Sequence, residues 1–160
     1  MPPYVAPAWL PGGHAQTLWP RALHPTPPPY RRERWEAPDG DFIDADRIDA
    51  PPDRPLLVLF HGLEGSSRSP YAAALARVCR ASRWRLALPH FRGCSGELNR
   101  RPRAYHSGDS AEIDWILARL AAENGERPVF AARLSLGGNA PLKWAGERGA
   151  GAASRARAIA

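Results

Sequence analysis

Three short, largely apolar segments place the strongest constraint on what this chain can fold into. They span residues 56–60, 84–88 and 128–134. Apolar runs of this length are typical of strands that are buried on both faces of a sheet. Segments with helical patterns separate them, and strands that alternate with helices form parallel βαβ units with right-handed crossovers. From about residue 55 onward, the sequence therefore predicts an α/β fold built on a parallel sheet.

The segments after these strands carry signals for helix starts. Ser69 suits an N-cap and Pro70 the first helical position, so we predict a helix from there to about residue 82. Asp109 and Glu112 have the spacing of a capping box, and the apolar residues that follow have the periodicity of a helix face packed on a sheet. A third helix is predicted from residue 136 to about residue 147.

The first 55 residues have a different character, because they contain thirteen of the 18 prolines. In residues 1–30, prolines and glycines are expected to interrupt any helix or strand. Trp9, Leu10, Leu18 and Trp19 nevertheless make this segment too apolar for a free linker. We therefore predict an ordered arm that packs on the body of the protein.

A turn sequence at residues 38–41 (PDGD) lies between two short segments of alternating polarity, residues 31–37 and 42–48. This arrangement predicts an antiparallel hairpin ahead of the parallel strands. The chain is thus expected to consist of a Pro-rich arm, residues 1–30, and a domain, residues 31–160.

Composition narrows the classes of partner. The net charge of +6 comes from arginine, because Lys143 is the only lysine among the 22 basic residues. The arginines are scattered, so we expect no nucleic-acid partner, although a basic nucleic-acid-binding domain stays an alternative.

Cys79 and Cys94 lack the spacing of a metal or redox motif and predict two reduced thiols. Without a signal-like N-terminus or a long apolar run, we expect a cytoplasmic protein with no membrane span.

Six aspartates are concentrated around the predicted hairpin: Asp39, Asp41, Asp44, Asp46, Asp49 and Asp53. Such a run could suggest a Ca²⁺ site, but the glycine and the terminal glutamate of an EF-hand loop are missing. We therefore expect these side chains to form a solvated face, and we expect neither a metal nor a cofactor.

Ser135 stands where a predicted strand meets a predicted helix, in the segment VFAARLSLGGN at residues 129–139. This is the context of a nucleophile elbow, in which the serine hydroxyl is exposed above the sheet on a strained turn. The backbone N–H of Leu136 would then face a developing oxyanion. The alternative is a serine that caps the third helix, and this segment alone leaves both interpretations open.

A second segment, HGLEGSS at residues 61–67, follows the first parallel strand. In hydrolases with a nucleophile elbow, the loop at this place supplies the second oxyanion donor. Leu63 is the candidate here, through its backbone N–H. For His61 we expect a structural imidazole that bonds loop carbonyls and does not act as the catalytic base.

Five stretches stand out in order along the chain: 10–17 (LPGGHAQT), 61–67 (HGLEGSS), 91–97 (FRGCSGE), 105–109 (YHSGD) and 135–139 (SLGGN). Together they resemble the YheT-type esterases of the α/β-hydrolase superfamily, a group that includes the eukaryotic ABHD hydrolases of acylglycerols and phospholipids. The resemblance covers nearly the whole chain. It implies the N-terminal half of an α/β-hydrolase fold and a Ser-His-Asp triad that cleaves carboxylic esters or acyl lipids through an acyl-enzyme on Ser135, without a cofactor.

Arg133 departs from the elbow pattern G-x-S-x-G, because it stands in place of the first glycine. Side chains two positions before and two positions after the nucleophile crowd one another at such a turn. We therefore expect Arg133 either to distort the strand or to clash, and strain of this kind costs about 1–3 kcal/mol.

The second departure concerns the triad partners. The superfamily order is serine, then acid, then histidine, yet Ser135 is followed by one acid, Glu147, and by no histidine. The five histidines are His14, His24, His61, His90 and His106. We therefore expect base and acid to lie beyond this chain, whose sheet is cut short, and the chain to be an incomplete, weakly active or inactive form. The alternative is a non-catalytic α/β-hydrolase-like interaction protein.

Overall fold

The computed structural model describes residues 3–22 and 26–160. In chain order, its elements are α1 (Gly13–Ala22), β1 (Arg31–Glu36), β2 (Phe42–Ile48), β3 (Leu56–Phe60), α2 (Pro70–Ala81), β4 (Arg85–Pro89), α3 (Ser110–Asn124), β5 (Val129–Arg133), α4 (Leu136–Arg148), a 3₁₀ helix (Gly149–Ser154) and β6 (Ala158–Ile159). The strands and helices predicted from the sequence are present, and their ends differ by at most one residue from the predicted ones.

Within the described residues, six strands form one mixed sheet in the order β1-β2-β4-β3-β5-β6. β1 pairs antiparallel with β2, and β2 pairs antiparallel with β4. β4, β3, β5 and β6 run parallel to one another. The predicted hairpin and the predicted parallel strands are therefore confirmed. The loops that follow β3, β4 and β5 leave the sheet at the same edge, where α/β proteins place their sites.

Helices cover both faces of the sheet. On one face, Val58 and Phe60 of β3 are buried in a cluster with Ile116 of α3 and Trp144 of α4. On the other face, Leu59 packs with the buried alanines of α2. The apolar runs of the sequence therefore form strands that are buried on both sides, because successive side chains of a strand point to opposite faces.

The start of α3 shows half of the predicted capping box. The Asp109 carboxylate caps the helix by accepting the backbone N–H of Glu112 at 3.4 Å. The Glu112 side chain does not reach back to the cap. It is buried and accepts a hydrogen bond from Arg92 Nε at 2.6 Å.

The structure of the arm corrects two expectations. α1 is helical although Pro20 lies within it, because the residues between Pro11 and Pro20 contain no proline and form the turns that precede it. Two of the large apolar side chains near α1 do not pack on the body, since Trp9 is 65% exposed and Leu18 is 63% exposed, whereas Tyr30 at the end of the arm packs against the core between β3 and α2. The Trp9 and Trp19 rings instead meet each other edge to face at 5.3 Å. Residues 23–25, which include His24, lie outside the described residues.

The expected solvated face of aspartates is wrong for Asp41, Asp44 and Asp46, which are at most 3% exposed. Arg34 of β1 donates two hydrogen bonds to Asp44, and Arg32 donates two to Asp46. Buried carboxylates need such partners, because an unpaired charge away from water is costly.

Asp41 connects the hairpin to the long loop that follows β4. Its carboxylate accepts the Asn99 side-chain N–H at 2.9 Å and the backbone N–H of Arg100 at 3.0 Å. It also accepts the backbone N–H of Phe42 and pairs with Arg92 Nη1 at 3.0 Å. One buried carboxylate therefore attaches residues 92–101 to the turn of the hairpin.

We expect Asp41→Ala to lower the free energy of unfolding by about 3 kcal/mol, because it leaves buried donors without an acceptor. Urea denaturation followed by circular dichroism measures the change. The control is Asp49→Ala, which removes an exposed ion pair with Arg31 and should cost about 1 kcal/mol or less. Equal effects of the two substitutions would contradict the role assigned to Asp41.

The same carboxylates should make the protein sensitive to acid. Burial alone would raise the pKa of Asp41, but hydrogen bonds from Asn99 and from backbone N–H groups outweigh it and hold this pKa at about 2. A pKa below the ordinary value of 3.8 stabilises the fold above that value, and this stability is lost as the pH falls toward 2. Urea denaturation at pH 7, 4 and 3 should show the loss, and Asp41→Asn should reduce it. Stability that is independent of pH over this range would overturn the expectation.

Candidate active site

The backbone is strained at Ser135, between β5 and α4. This residue has φ 51° and ψ −122°, a conformation that residues with a β-carbon rarely adopt. Ser135 occupies the N-cap position of α4, yet its side chain makes no capping hydrogen bond. The alternative of a helix-capping serine therefore does not fit this geometry. The exposed hydroxyl lies beside the loop that follows β3, since a β-carbon on Gly62 would lie 3.9 Å from Ser135 Oγ.

Gly137 makes the tight turn possible. A β-carbon at this position would lie 2.5 Å from the carbonyl oxygen of Phe60 and closer still to that of His61. Heavy atoms do not approach so closely without displacing the backbone. The missing side chain thus allows the first turn of α4 to rest on the carboxyl end of β3, and Leu134 N–H donates to Phe60 O at 3.1 Å beside it.

Arg133 neither distorts the strand nor clashes with Gly137, which corrects our expectation. It keeps its register opposite Phe60 in the sheet, and its N–H donates to Ala160 O at 3.1 Å. Its guanidinium lies over Gly138, where a β-carbon would come within 2.9 Å of Arg133 Nη1. Within the described part of the chain, the buried Nε of Arg133 has no hydrogen-bond partner.

The two proposed oxyanion donors differ from their neighbours in hydrogen bonding. Gly62 N–H donates to Tyr71 Oη at 3.1 Å, and Glu64 N–H donates to Tyr105 Oη at 2.9 Å. Among the described residues, Leu63 N–H and Leu136 N–H donate to no acceptor. Free N–H groups on either side of a serine are what an oxyanion hole requires.

His61 has the structural role that the sequence predicts. Its Nδ1 lies 2.8 Å from Gly62 O, and its Nε2 accepts the backbone N–H of Phe91 at 2.9 Å. Nδ1 therefore carries the proton, and neither nitrogen is free for catalysis. Burial lowers the pKa of His61 to about 4, so the ring is neutral near pH 7.

The structure brings no base to Ser135. No hydrogen bond joins its hydroxyl to a histidine or a carboxylate among the described residues. His90 contacts Asp46 and the carbonyl of Cys94, and the exposed His106 accepts the backbone N–H of Gly108. The structure therefore places Ser135 next to Leu136 and beside the loop that carries Leu63, and among the described residues it brings no base to the serine.

The two cysteines are not activated. Burial raises the pKa of Cys79 to about 11, and burial also raises the pKa of Cys94. A thiol with a raised pKa is a poor nucleophile at neutral pH. Residues 3–22 and 26–160 contain no cluster of side chains suited to a metal ion, and none of their helices is long and apolar enough to cross a bilayer.

Sequence reasoning missed Tyr71 and Tyr105, whose hydroxyl groups hold the loop between β3 and α2. Tyr105 lies in the YHSGD stretch, which contributed to the family resemblance but did not predict the contact with Glu64. Tyr71 is one of the first residues of α2 and gave no signal in the sequence.

Comparison with known proteins identifies relatives of this chain. It is 45% identical over 131 residues to "Putative esterase YheT" of Escherichia coli, a match that covers 79% of this chain and 38% of that protein. It is 27% identical over 155 residues to Phospholipase ABHD3 of Homo sapiens, which covers 91% of this chain and 38% of that protein. An α/β serine hydrolase without a lid from Xanthomonas campestris has a similar structure, with a TM-score of 0.60 at 18% identity over 77% of this chain and 57% of that one.

The chain thus spans 38% of the length of each of the two curated relatives. No family model matches it.

Gly137→Ala should test the contact between α4 and β3. We expect it to lower the free energy of unfolding by about 1–3 kcal/mol, because the added methyl group meets backbone carbonyls that cannot move aside cheaply. Gly146→Ala is the matched control in the same helix, where a β-carbon meets nothing within 4 Å. It should be neutral or stabilising by up to about 1 kcal/mol. Urea denaturation compares the two, and equal effects would refute the close contact.

Proposed function

We propose that this chain carries the serine nucleophile and the oxyanion hole of a carboxylic ester hydrolase. The proposal starts from its family: over the segment that it shares with these relatives, the chain is a YheT- and ABHD-like α/β-hydrolase, as the sequence predicted. The observation that carries the proposal is the strained, exposed Ser135, together with the N–H groups of Leu63 and Leu136, which find no acceptor in residues 3–22 and 26–160. Its relatives are named as esterase and phospholipase. A cytoplasmic location and the division into arm and domain stay predictions.

In the proposed reaction, Ser135 Oγ attacks the ester carbonyl and the alcohol leaves, so that an acyl-enzyme forms. The N–H groups of Leu63 and Leu136 donate to the oxygen that becomes negative, and each is worth about 2.7–4 kcal/mol. Water then attacks the acyl-enzyme and releases the acid. The amino end of α4 points at the same oxygen and adds a favourable dipole.

The proton of Ser135 needs a base, which the described residues do not bring within hydrogen-bonding distance. We propose that an imidazole and a carboxylate complete the triad. Both would belong to the part of the longer relatives that this chain does not span. The chain alone would then retain only the acceleration from binding and from the oxyanion hole, at most about 10³–10⁴-fold over water.

The substrate class follows from the side chains around Ser135. Leu63 is 67% exposed and Leu134 is 42% exposed, and both flank the serine in the loops at this edge of the sheet. Exposed leucines at a reaction centre favour an apolar acyl chain over a charged substrate. We therefore propose an acyl ester, whether of a lipid or of a short alcohol.

A second candidate function has one observation in its favour. The missing base fits an interaction protein that keeps the fold without the chemistry. Reactivity of Ser135 with a phosphonylating reagent separates the two functions when imidazole is added as an external base, because only a serine beside an oxyanion hole should then react.

Fluorophosphonate labelling tests the proposed function. We expect the probe, with imidazole added as an external base for the Ser135 proton, to modify Ser135, as located by peptide mass spectrometry, and Ser135→Ala to abolish labelling. Ser107→Ala, in a nearby exposed loop, is the control and should leave labelling unchanged. Without imidazole, hydrolysis of p-nitrophenyl acetate should stay close to the buffer rate. Labelling that survives in Ser135→Ala would refute Ser135 as the nucleophile, and rapid turnover that depends on Ser135 would refute the missing base.

A further inference from the structure

The segment ahead of the sheet presents large apolar side chains to solvent. Of the ten large apolar residues that are exposed within the described part of the chain, five lie between positions 4 and 19. They are Tyr4, Val5, Trp9, Leu18 and Trp19, and we call them the apolar patch. Single exposed apolar residues are ordinary on a protein surface, whereas a contiguous group of them marks a place where a partner binds.

Contacts within the arm hold the patch together. Trp9 meets Trp19 edge to face, with ring centroids 5.3 Å apart. Tyr4 Oη donates to Gln16 Oε1 at 2.9 Å, and Gln16 Nε2 donates in turn to Leu10 O at 3.3 Å. Gln16 and Trp19 are neighbours on one side of α1, because they are three residues apart in the helix. The segment before α1 therefore folds back on the helix and gathers Tyr4, Trp9 and Trp19 on one surface.

The arm is attached to the body downstream of the patch. Arg77 of α2 donates to Thr26 O at 3.0 Å, and Tyr30 Oη donates to Ser67 O at 3.2 Å. These contacts lie at the end of the arm, so they leave the apolar patch open to solvent. A surface that its own hydrogen bonds already order can bind a partner at a lower cost in conformational entropy.

The chemistry of the patch favours a lipid surface of negative charge. The side chains of tryptophan and tyrosine combine an apolar ring with one polar group, and they concentrate where a membrane meets water. Residues 1–30 contain neither Asp nor Glu, and the whole chain has a net charge of +6. No carboxylate of the arm therefore repels an anionic headgroup, and the net charge attracts the chain to such a surface.

The dimensions of α1 fit a helix that lies on a membrane. Its ten residues span about 15 Å, which is half of the roughly 30 Å thickness of a hydrocarbon core. A second copy of the chain is the less favourable partner, because association would bring together two molecules of charge +6. We propose that the apolar patch docks this chain on an anionic lipid surface, with Trp9 and Trp19 inserted at the level of the headgroups.

Cosedimentation with vesicles of phosphatidylglycerol and phosphatidylcholine in equal parts tests the proposal. We expect the parent chain to bind, and Trp9→Ala/Trp19→Ala to lower the partition coefficient at least about tenfold, because two indole rings supply much of the apolar area that the lipid buries. Val78→Ala/Leu98→Ala is the matched control, since it shortens two exposed apolar side chains outside the patch. It should stay within about twofold of the parent.

Vesicles of phosphatidylcholine alone test the preference for negative charge. We expect the parent to bind them at least about tenfold more weakly than the anionic vesicles, because the electrostatic attraction is lost. Equal binding to both kinds of vesicle overturns the proposed preference. Vesicle binding does not require Ser135 to react, so this result is independent of the proposed function.

Brominated lipids give a second reading that needs no substitution. Bromine on the acyl chains quenches tryptophan fluorescence on contact, so we expect the exposed Trp9 and Trp19 to lose emission while the buried Trp35 and Trp144 keep theirs. Absence of both vesicle binding and quenching overturns the proposal, and so does binding that persists in Trp9→Ala/Trp19→Ala. A dimer in sedimentation velocity that this variant dissociates, without vesicle binding, would instead assign the patch to a second copy of the chain.

Discussion

The close approach of α4 to the carboxyl end of β3 is the constraint on which the candidate site depends. It lies at the edge where the loops after β3, β4 and β5 leave the sheet. Gly137 rests against the carbonyl groups of Phe60 and His61 with no room for a side chain. This contact sets where α4 begins, forces the backbone of Ser135 into a positive φ, and brings the serine beside Gly62. A single missing β-carbon therefore couples the nucleophile to the loop that carries the second oxyanion donor.

The ion pairs of the β1–β2 hairpin also support the edge of the sheet that carries the candidate site, through the loop after β4. β1 and β2 extend the parallel sheet through an antiparallel pair, and the buried aspartates of β2 hold the arginines of β1. Through Asp41, this network also holds the loop after β4, from which Arg92 reaches Glu112 of α3. The loop continues to Tyr105. The electrostatics of the hairpin and the geometry of the candidate oxyanion hole are thus parts of one connected structure.

The sequence predicted what depends on local pattern. Apolar runs and cap residues were sufficient to place the strands and helices of the α/β body. The strand-to-helix position of Ser135 selected it and Leu136 as candidates, and the loop after the first parallel strand selected Leu63. Contacts between residues far apart in the chain were not predictable. The sequence predicted a solvated face for Asp44 and Asp46, but the arginines of β1 and His90 in the loop after β4 pair with these carboxylates. The contact of Tyr105 with Glu64 spans 41 residues, and the path of the Arg133 side chain depends on the space above Gly138, so neither left a local signal.

The fixed tautomer of His61 has a consequence for any pH–rate profile recorded on an enzyme in which this loop acts together with a catalytic base. With a proton on Nδ1, an accepted hydrogen bond on Nε2 and a pKa of about 4, this ring does not change charge between pH 5 and pH 9. The ring that anchors this loop therefore keeps one charge state across the range in which esters are assayed. An inflection near neutrality, once observed, reports an ionising group other than His61, and the search for the catalytic base can begin from that inflection.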